Sequence, residues 1–364
     1  MRVDWLSLVD FRSYRSLDWQ PDDRVNLLVG PNAAGKTNLL EGVGYLSSLK
    51  SFRSAPDRAL IAEGADSAVL RAGIASGERK RLIEIEVPET GSKKAQVDKT
   101  RLKKTTELLG VLRVIAFLPE DLDFVKRGPS YRRDLLDDLA VQLWPAAYLD
   151  QSEYDRSVRQ RNAFLKSGEQ DDVTLSVWDS RVAQAGGRVM ARRARVIETL
   201  VPLLEECYRE ISSSVLRAGL EYEATWFEGA PLPVSAGEYA DRLAESLGRR
   251  RRVDYERRIT TVGPHRDEPS FALDHRDART LASQGEQRTV ALAVKLAAHS
   301  AVTEAVSDQP VLLLDDVFSE LDPERSKALA GALPEGTQTM ITTARPEDVP
   351  VSGRVWSVRE GVVQ

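Results

Sequence analysis

The chain has 364 residues, 42% of them hydrophobic and 29% charged, with a formal net charge of -5. That composition excludes a disordered or collagen-like chain, and the length allows two domains or one large one. A single cysteine, Cys207, leaves no internal disulfide and suits a reducing compartment. Arg2, Asp4 and Asp10 interrupt the N-terminal residues, unlike a secretory leader. No run approaches the roughly 20 apolar residues of a membrane span. The expectation is a cytoplasmic protein with no membrane role. Net acidity argues against bulk coating of nucleic acid but leaves local basic patches open.

Apolar runs at 3–8, 17–19 and 25–29 read as strands, the last stopping at Gly30. From Lys36 the spacing of Leu39, Leu40, Val43 and Leu46 is helical. Residues 69–74 and 82–87 alternate as strands do; a lysine-rich hairpin or loop follows at 91–104, then an apolar strand at 111–118 closed by Pro119. From about 130 to 216 the period is helical, with amphipathic stretches at 131–143 and 175–204. A Pro/Gly stretch at 229–237 breaks it, and strand character returns near Thr260. Residues 288–299 are helical and 311–314 form an apolar strand. This order implies an α/β fold, a P-loop head made of 1–122 and 256–364 and split by a mainly helical insertion at 123–255.

Gly30-Pro31-Asn32-Ala33-Ala34-Gly35-Lys36-Thr37 fits the phosphate-loop pattern and lies between an apolar strand and a helix. Glycines let the backbone turn its N–H groups toward an anion, and the helix N-terminus adds donors and a positive dipole end. Lys36 is expected to reach the β- and γ-phosphates and Thr37 to complete a Mg²⁺ shell, with Asn38 closing the loop. The strand at 311–314 ends in Asp315 and Asp316. Asp315 is the expected Mg²⁺ partner of Thr37, and Asp316 the candidate to orient or deprotonate a water. Ser283-Gln284-Gly285-Glu286 precedes a helix and alone reads as an ordinary N-cap; its place ahead of the acidic strand turns the reading toward a second anion site.

Further motifs run in order along the whole chain: Phe11-Arg12-Ser13-Tyr14, Lys50-Ser51-Phe52-Arg53, Pro119-Glu120-Asp121-Leu122, Arg132-Arg133 and Gly263-Pro264-His265-Arg266-Asp267. Asp315-Asp316 opens into Ser319-Glu320-Leu321-Asp322. With these the chain resembles an ABC-type ATPase head of the SMC-like branch, and within it the RecF family of bacterial recombination mediators. The resemblance implies ATP and Mg²⁺ as cofactors and a slow, DNA-stimulated ATPase. It implies an ATP-dependent homodimer in which Ser283 and Gly285 of one copy meet the nucleotide held by Lys36 of the other. It further implies action on duplex, gapped or junction DNA in replication, gap repair and the SOS response, with RecO- and RecR-type partners. An ABC-type ATPase coupled to a membrane or other protein partner is the alternative. Departures from the wider pattern are Asp316 where transporters carry Glu, and Thr342-Thr343 where they place a switch histidine. No lobe-linking glutamine is evident, Pro119-Glu120 falling at that point, and Ala33 replaces a loop Gly, expected to be tolerated at negative φ.

Basic clusters that could neutralise DNA phosphates lie at 93–104, including Lys103 and Lys104, at Arg192-Arg193 with Arg195, and at 249–252, including Arg250 and Arg251, with Arg257 and Arg258. None has aromatics interleaved in the sequence, which favours duplex backbone contact over base stacking. His265 reads equally as a core histidine, and His275 and His299 lack partners at ligand spacing, so no zinc site is expected.

Overall fold

A computed structural model describes residues 1–364 except 170, 213, 225 and 228–234. Most of the anticipated Pro/Gly break therefore lies outside the described residues. In chain order come β1 (Arg2–Phe11), β2 (Tyr14–Trp19), β3 (Val25–Val29), α1 (Lys36–Ser48), β4 (Ser67–Ser76), β5 (Arg79–Pro88), β6 (Lys94–Val97), β7 (Thr100–Arg101) and β8 (Val114–Phe117). Then follow α2 (Pro129–Leu143), α3 (Ala147–Ser167), α4 (Asp172–Ile211), β9 (Ala218–Glu223), α5 (Ala236–Arg257), β10 (Glu268–Leu273), β11 (Arg276–Asp277) and α6 (Ala278–Leu281). The chain closes with α7 (Gln284–Val306), β12 (Val311–Asp315), α8 (Pro323–Ala332), β13 (Thr339–Thr343), β14 (Arg354–Arg359) and β15 (Val362–Val363).

Two compact units divide these elements: Met1–Asp123 with Leu203–Leu216 and Arg288–Gln364, and Phe124–Pro202 with Arg217–Gln287. The second unit thus runs to Gln287, past the 255 at which the sequence placed the end of the insertion. The single chain of α4 serves both units, and Pro202 inside the helix marks the change from one to the other.

The first unit holds two six-stranded sheets, ordered β2-β1-β4-β5-β6-β7 and β15-β14-β3-β13-β12-β8. In the second of these β14, β3, β13, β12 and β8 run parallel. Every residue of β12 is buried, which explains its unbroken apolar run: a central parallel strand is covered on both faces. Each of its leucines contributes about 1.5–3 kcal/mol by burial. β3 and β12 flank β13, so the loop after β3 and the acids ending β12 emerge at the same C-terminal edge of the sheet, where open α/β sheets bind ligands.

The second unit packs α3, α4 and α5 around Tyr154, Val182, Met190, Trp226, Phe227, Tyr239 and Leu243, beside a small sheet β11-β10-β9. Thr260 is not in a strand. Its hydroxyl donates to Asn162 Oδ1 (2.7 Å) and accepts from the fully buried Arg161 (3.0 Å), so side chains rather than a ladder satisfy this segment. Arg161 also pairs with Asp179 (2.8 Å) and Asp254 (2.7 Å). α7 is long and apolar enough to cross a bilayer by length and composition, a stretch the residue runs did not reveal; 67% of its apolar window is buried in the fold.

Candidate functional site

The phosphate loop leaves β3 at Gly30, whose N–H bonds the Thr343 carbonyl (3.3 Å). A Cβ on Gly30 would sit 2.1 Å from the Val358 carbonyl oxygen, so only glycine fits there. Gly35 caps α1 at φ 106 with no side-chain cap, leaving the first helical N–H groups free for an anion. Ala33 takes φ 65, not the negative value expected of it. An alanine held in the left-handed region costs roughly 1–2 kcal/mol, which the loop bears to turn its amides inward.

Lys36 donates to the carbonyls of Gly30 (2.7 Å) and Pro31 (2.9 Å), curled over its own loop. Burial lowers the pKa of its ammonium, with Asp316 and Asp315 opposing that. Thr37 Oγ1 donates to Asp315 Oδ1 (2.8 Å), and Thr342 Oγ1, from β13 between the two strands, donates to the same oxygen (2.7 Å). The strand end where a switch histidine was sought therefore orients Asp315. Burial raises the Asp315 pKa, opposed by the bonds from Thr342 and Thr37 and reinforced by Asp316 and Glu120. Pro119-Glu120 thus lies within electrostatic reach of the site.

Asp316 sits at φ 51 with its N–H on Thr342 Oγ1 (2.8 Å), and its Oδ1 is buried without a partner. Burial raises its pKa, opposed by a hydrogen bond from the Ser319 side chain and by Lys36. A buried carboxylate oxygen aimed at nothing needs a water or a ligand. Two clefts flank the loop. The larger, about 790 Å³, is lined by Pro31, Asn32, Ala33 and Ala34 with Ser357, Arg359 and Val362. The smaller, about 290 Å³, is lined by Lys36, Thr37, Asn38, Arg53, Asp316 and Thr342, the last of which, with Thr37, bonds Asp315. Free amides, one ammonium, a Thr–Asp pair and an orphaned carboxylate fit a polyphosphate with a hard divalent cation on Thr37 and Asp315.

Arg53 is a wall of this cleft that the sequence reading quoted as a motif but did not place; its guanidinium reaches Asn38 Oδ1 at 3.5 Å. Tyr14 was missed likewise: its buried hydroxyl donates to the Gly35 carbonyl (2.9 Å) and props the loop from behind.

Ser283 and Gly285 fall in the second unit. Ser283 forms a reciprocal cap with Glu286, its N–H on Glu286 Oε2 (2.7 Å) and its Oγ accepting from the Glu286 N–H (3.3 Å). The N-cap reading therefore holds, and the exposed Ser283 hydroxyl also bonds the Glu286 carboxylate, holding that acid below its usual range. In the same unit Gly263, Pro264 and Asp267 of the Gly263–Asp267 motif are buried, His265 is half-buried and Arg266 is exposed. Asp267 is fully buried and accepts from Trp226 Nε1 and Tyr222 Oη, both at 2.8 Å. The Thr260 carbonyl accepts from His265 Nε2 (3.2 Å), which leaves Nδ1 to accept from Tyr154 Oη (2.6 Å). His265 is a core histidine, its pKa pushed by burial down to about 4.

Of the basic candidates, Lys103, Lys104 and Arg250 are exposed. Arg192 pairs with Asp150 (3.3 Å) and Arg251 with Asp179 (2.8 Å). Arg193 is a correction. It is 2% exposed, forked onto Asp137 and donating to Tyr222 Oη (3.0 Å) and the Pro264 carbonyl (2.7 Å), so it faces the interior of its unit rather than a DNA backbone. The absence of interleaved aromatics is corrected by Tyr255, between Arg252 and Arg257; the fold further brings the Trp144 ring under Arg195 (4.6 Å) and Arg192 (5.8 Å).

Residues 2–361 match the family described as RecF/RecN/SMC N terminal domain. The chain is 36% identical to "DNA replication and repair protein RecF" of Streptomyces avermitilis over 381 positions, covering 100% of both chains. The chain belongs to the RecF family. The RecF of Acidothermus cellulolyticus is 38% identical over 375 positions, covering 100% of this chain and 99% of that one. The solved structure of the recombination mediator RecF-ATP in the RecFOR pathway superposes with a TM-score of 0.90 at 30% identity, covering 100% of this chain and 96% of that chain. An SMC head bound to the C-terminal winged-helix domain of ScpA shares the fold, with a TM-score of 0.57 at 16% identity and coverage of 100% and 97%.

Proposed function

We propose that this RecF-family chain binds ATP with Mg²⁺ at the Lys36–Asp316 cleft, pairs with a second copy when loaded, and acts on DNA in replication and repair. The observation that carries the reading is the arrangement at the sheet edge: Thr37 and Thr342 both on Asp315 Oδ1, and beside them the unpartnered Oδ1 of Asp316. The relatives named for DNA replication and repair, and the RecF-ATP structure, support the nucleotide and the process.

The loop amides and Lys36 hold the phosphates, and Lys36 leaves its two loop carbonyls to do so. Thr37 and Asp315 are the protein ligands for Mg²⁺, which supplies charge neutralisation on the phosphates. Asp316 Oδ1 takes the proton of the water whose oxygen bonds the terminal phosphorus as the bond to ADP breaks, and burial holds this acid above the ordinary aspartate range. Aspartate reaches less far than glutamate, which fits slow turnover. Ser283 turns its hydroxyl from Glu286 to the terminal phosphate held by the other copy, so ATP joins two weakly associating surfaces by differential binding. Lys103, Lys104 and Arg250 are the preferred contacts to the duplex backbone. Gap repair, SOS induction and loading with RecO- and RecR-type partners follow the family resemblance.

The test is ATP hydrolysis with and without duplex or gapped DNA. DNA-stimulated phosphate release that Asp316→Asn suppresses while ATP binding persists supports the enzyme reading. Binding without any hydrolysis would reduce the nucleotide to structural glue.

A further inference from the structure

Glu41 lies in α1, the helix that the phosphate loop opens, and its side chain is completely buried. An isolated carboxylate at such depth costs several kcal/mol unless it is paired and hydrogen-bonded. It is paired on two sides. Arg12 donates to it through Nε (2.8 Å) and Nη2 (2.9 Å), a forked bond of the strong, direction-fixing kind. On the other side Ser51 Oγ donates to Glu41 Oε1. One partner belongs to the turn that braces the phosphate loop, the other to the turn that carries a wall of the cleft.

Arg12 sits at φ 54 in the turn between β1 and β2. The next two residues touch the loop: Ser13 Oγ accepts from Asn38 Nδ2 (2.9 Å), and Tyr14 Oη donates to the Gly35 carbonyl (2.9 Å). Ser51, its own proton spent on Glu41, accepts from the N–H groups of Arg53 (3.1 Å) and Ala55 (3.3 Å), so the turn carrying Arg53 is folded around that one oxygen. Arg53 then enters the cleft with Lys36 and Asp316.

We infer that Glu41 is a positioning residue for the nucleotide site: one buried carboxylate that ties the Ser13–Tyr14 turn bracing the phosphate loop to the turn that carries Arg53 into the cleft. It touches no phosphate and acts on the terminal phosphate through the placement of Arg53. This rests on the cleft being the ATP site. A purely structural carboxylate would affect stability and both nucleotides alike, whereas a residue aiming a cation at the terminal phosphate affects ATP more than ADP.

The experiment measures ATP and ADP dissociation constants and melting temperature for the wild type, Glu41→Gln, Arg53→Ala and the double variant. Glu41→Gln is expected to lower the preference for ATP over ADP at least tenfold while the chain stays folded. In the Arg53→Ala background the same substitution should leave the preference unchanged. Equal weakening of both nucleotides, or additive effects in the double variant, overturns the inference. If Glu41→Gln does not fold, Ser51→Ala, which keeps the Arg12 fork, must show the same selective loss; an unaltered preference overturns it equally. A wild type that binds neither nucleotide fails the ATP reading itself, and the inference with it.

Discussion

Lys36→Ala isolates the phosphate grip from the fold. The ammonium has three donors, of which two lie on the Gly30 and Pro31 carbonyls. Nucleotide binding exchanges those two bonds, worth about 1 kcal/mol each, for at least two charge-assisted bonds to phosphate at about 1.5–3 kcal/mol each, plus attraction between the charges in a half-buried cleft. The substitution should therefore cost about 2–4 kcal/mol of ATP binding, which is roughly 30- to 700-fold in Kd. The empty protein should barely notice, because burial already disfavours the charge being removed; at about 1 kcal/mol or less, Tm moves by only a few degrees. Titration calorimetry with Mg-ATP, alongside a thermal melt, reads both quantities. An unchanged Kd in a folded variant would falsify the assignment of this loop to phosphate.

Ser283→Arg should leave Mg-ATP affinity intact but abolish ATP-induced pairing, read by light scattering; persistent dimers would remove the hydroxyl from the interface. Gly30→Ala should abolish nucleotide binding and cost stability, since the Val358 carbonyl lies 2.1 Å from the new carbon; wild-type binding would refute the steric argument. Arg193→Ala should destabilise by about 3–5 kcal/mol in a denaturant melt, because it strands Asp137, whereas Arg250→Ala should stay within about 0.5 kcal/mol yet weaken duplex binding at low salt. For pH, burial raises Asp267 from 3.8 to about 6 and lowers His265 from 6.5 to about 4. The acid loses stability as pH rises through that window, whereas His265 and His299, the latter also lowered by burial to about 4, lose it as pH falls, so the slopes oppose; Asp267→Asn should make the fall between pH 6.5 and 4 steeper than the wild type's by about 3 kcal/mol, and an unchanged slope would contradict the raised acid.

The chemistry of the loop was legible because it is local. Glycines, a lysine and a threonine at fixed spacing after an apolar strand specify their own backbone, and β3 spans the 25–29 read from the sequence. β12 differs only in reaching Asp315, which joins the strand. What distance in sequence hides is the second tier. Thr342 orients Asp315 from 27 residues away, and Glu41 reaches Arg12 at a separation of 29. No spacing rule links such pairs; the sheet order and the turn between β1 and β2 do.

Charge runs misled for the same reason. Arg192 and Arg193 are adjacent in sequence, yet on a helix adjacent residues point to different faces, one toward Asp150 and the other into the core. β9 went unread because its six residues gain meaning only beside β10. α5 carried a signal that was overlooked: Ser235 and Glu238 form a capping box that marks its start.

The most direct measurement is fluorescence anisotropy of labelled duplex and gapped DNA titrated with the protein at low salt, with Mg-ATP and without nucleotide. An ATP-gated DNA protein binds tightly only with ATP, and loses that binding steeply as salt rises. Equal affinity with and without ATP, or no binding in either condition, contradicts it.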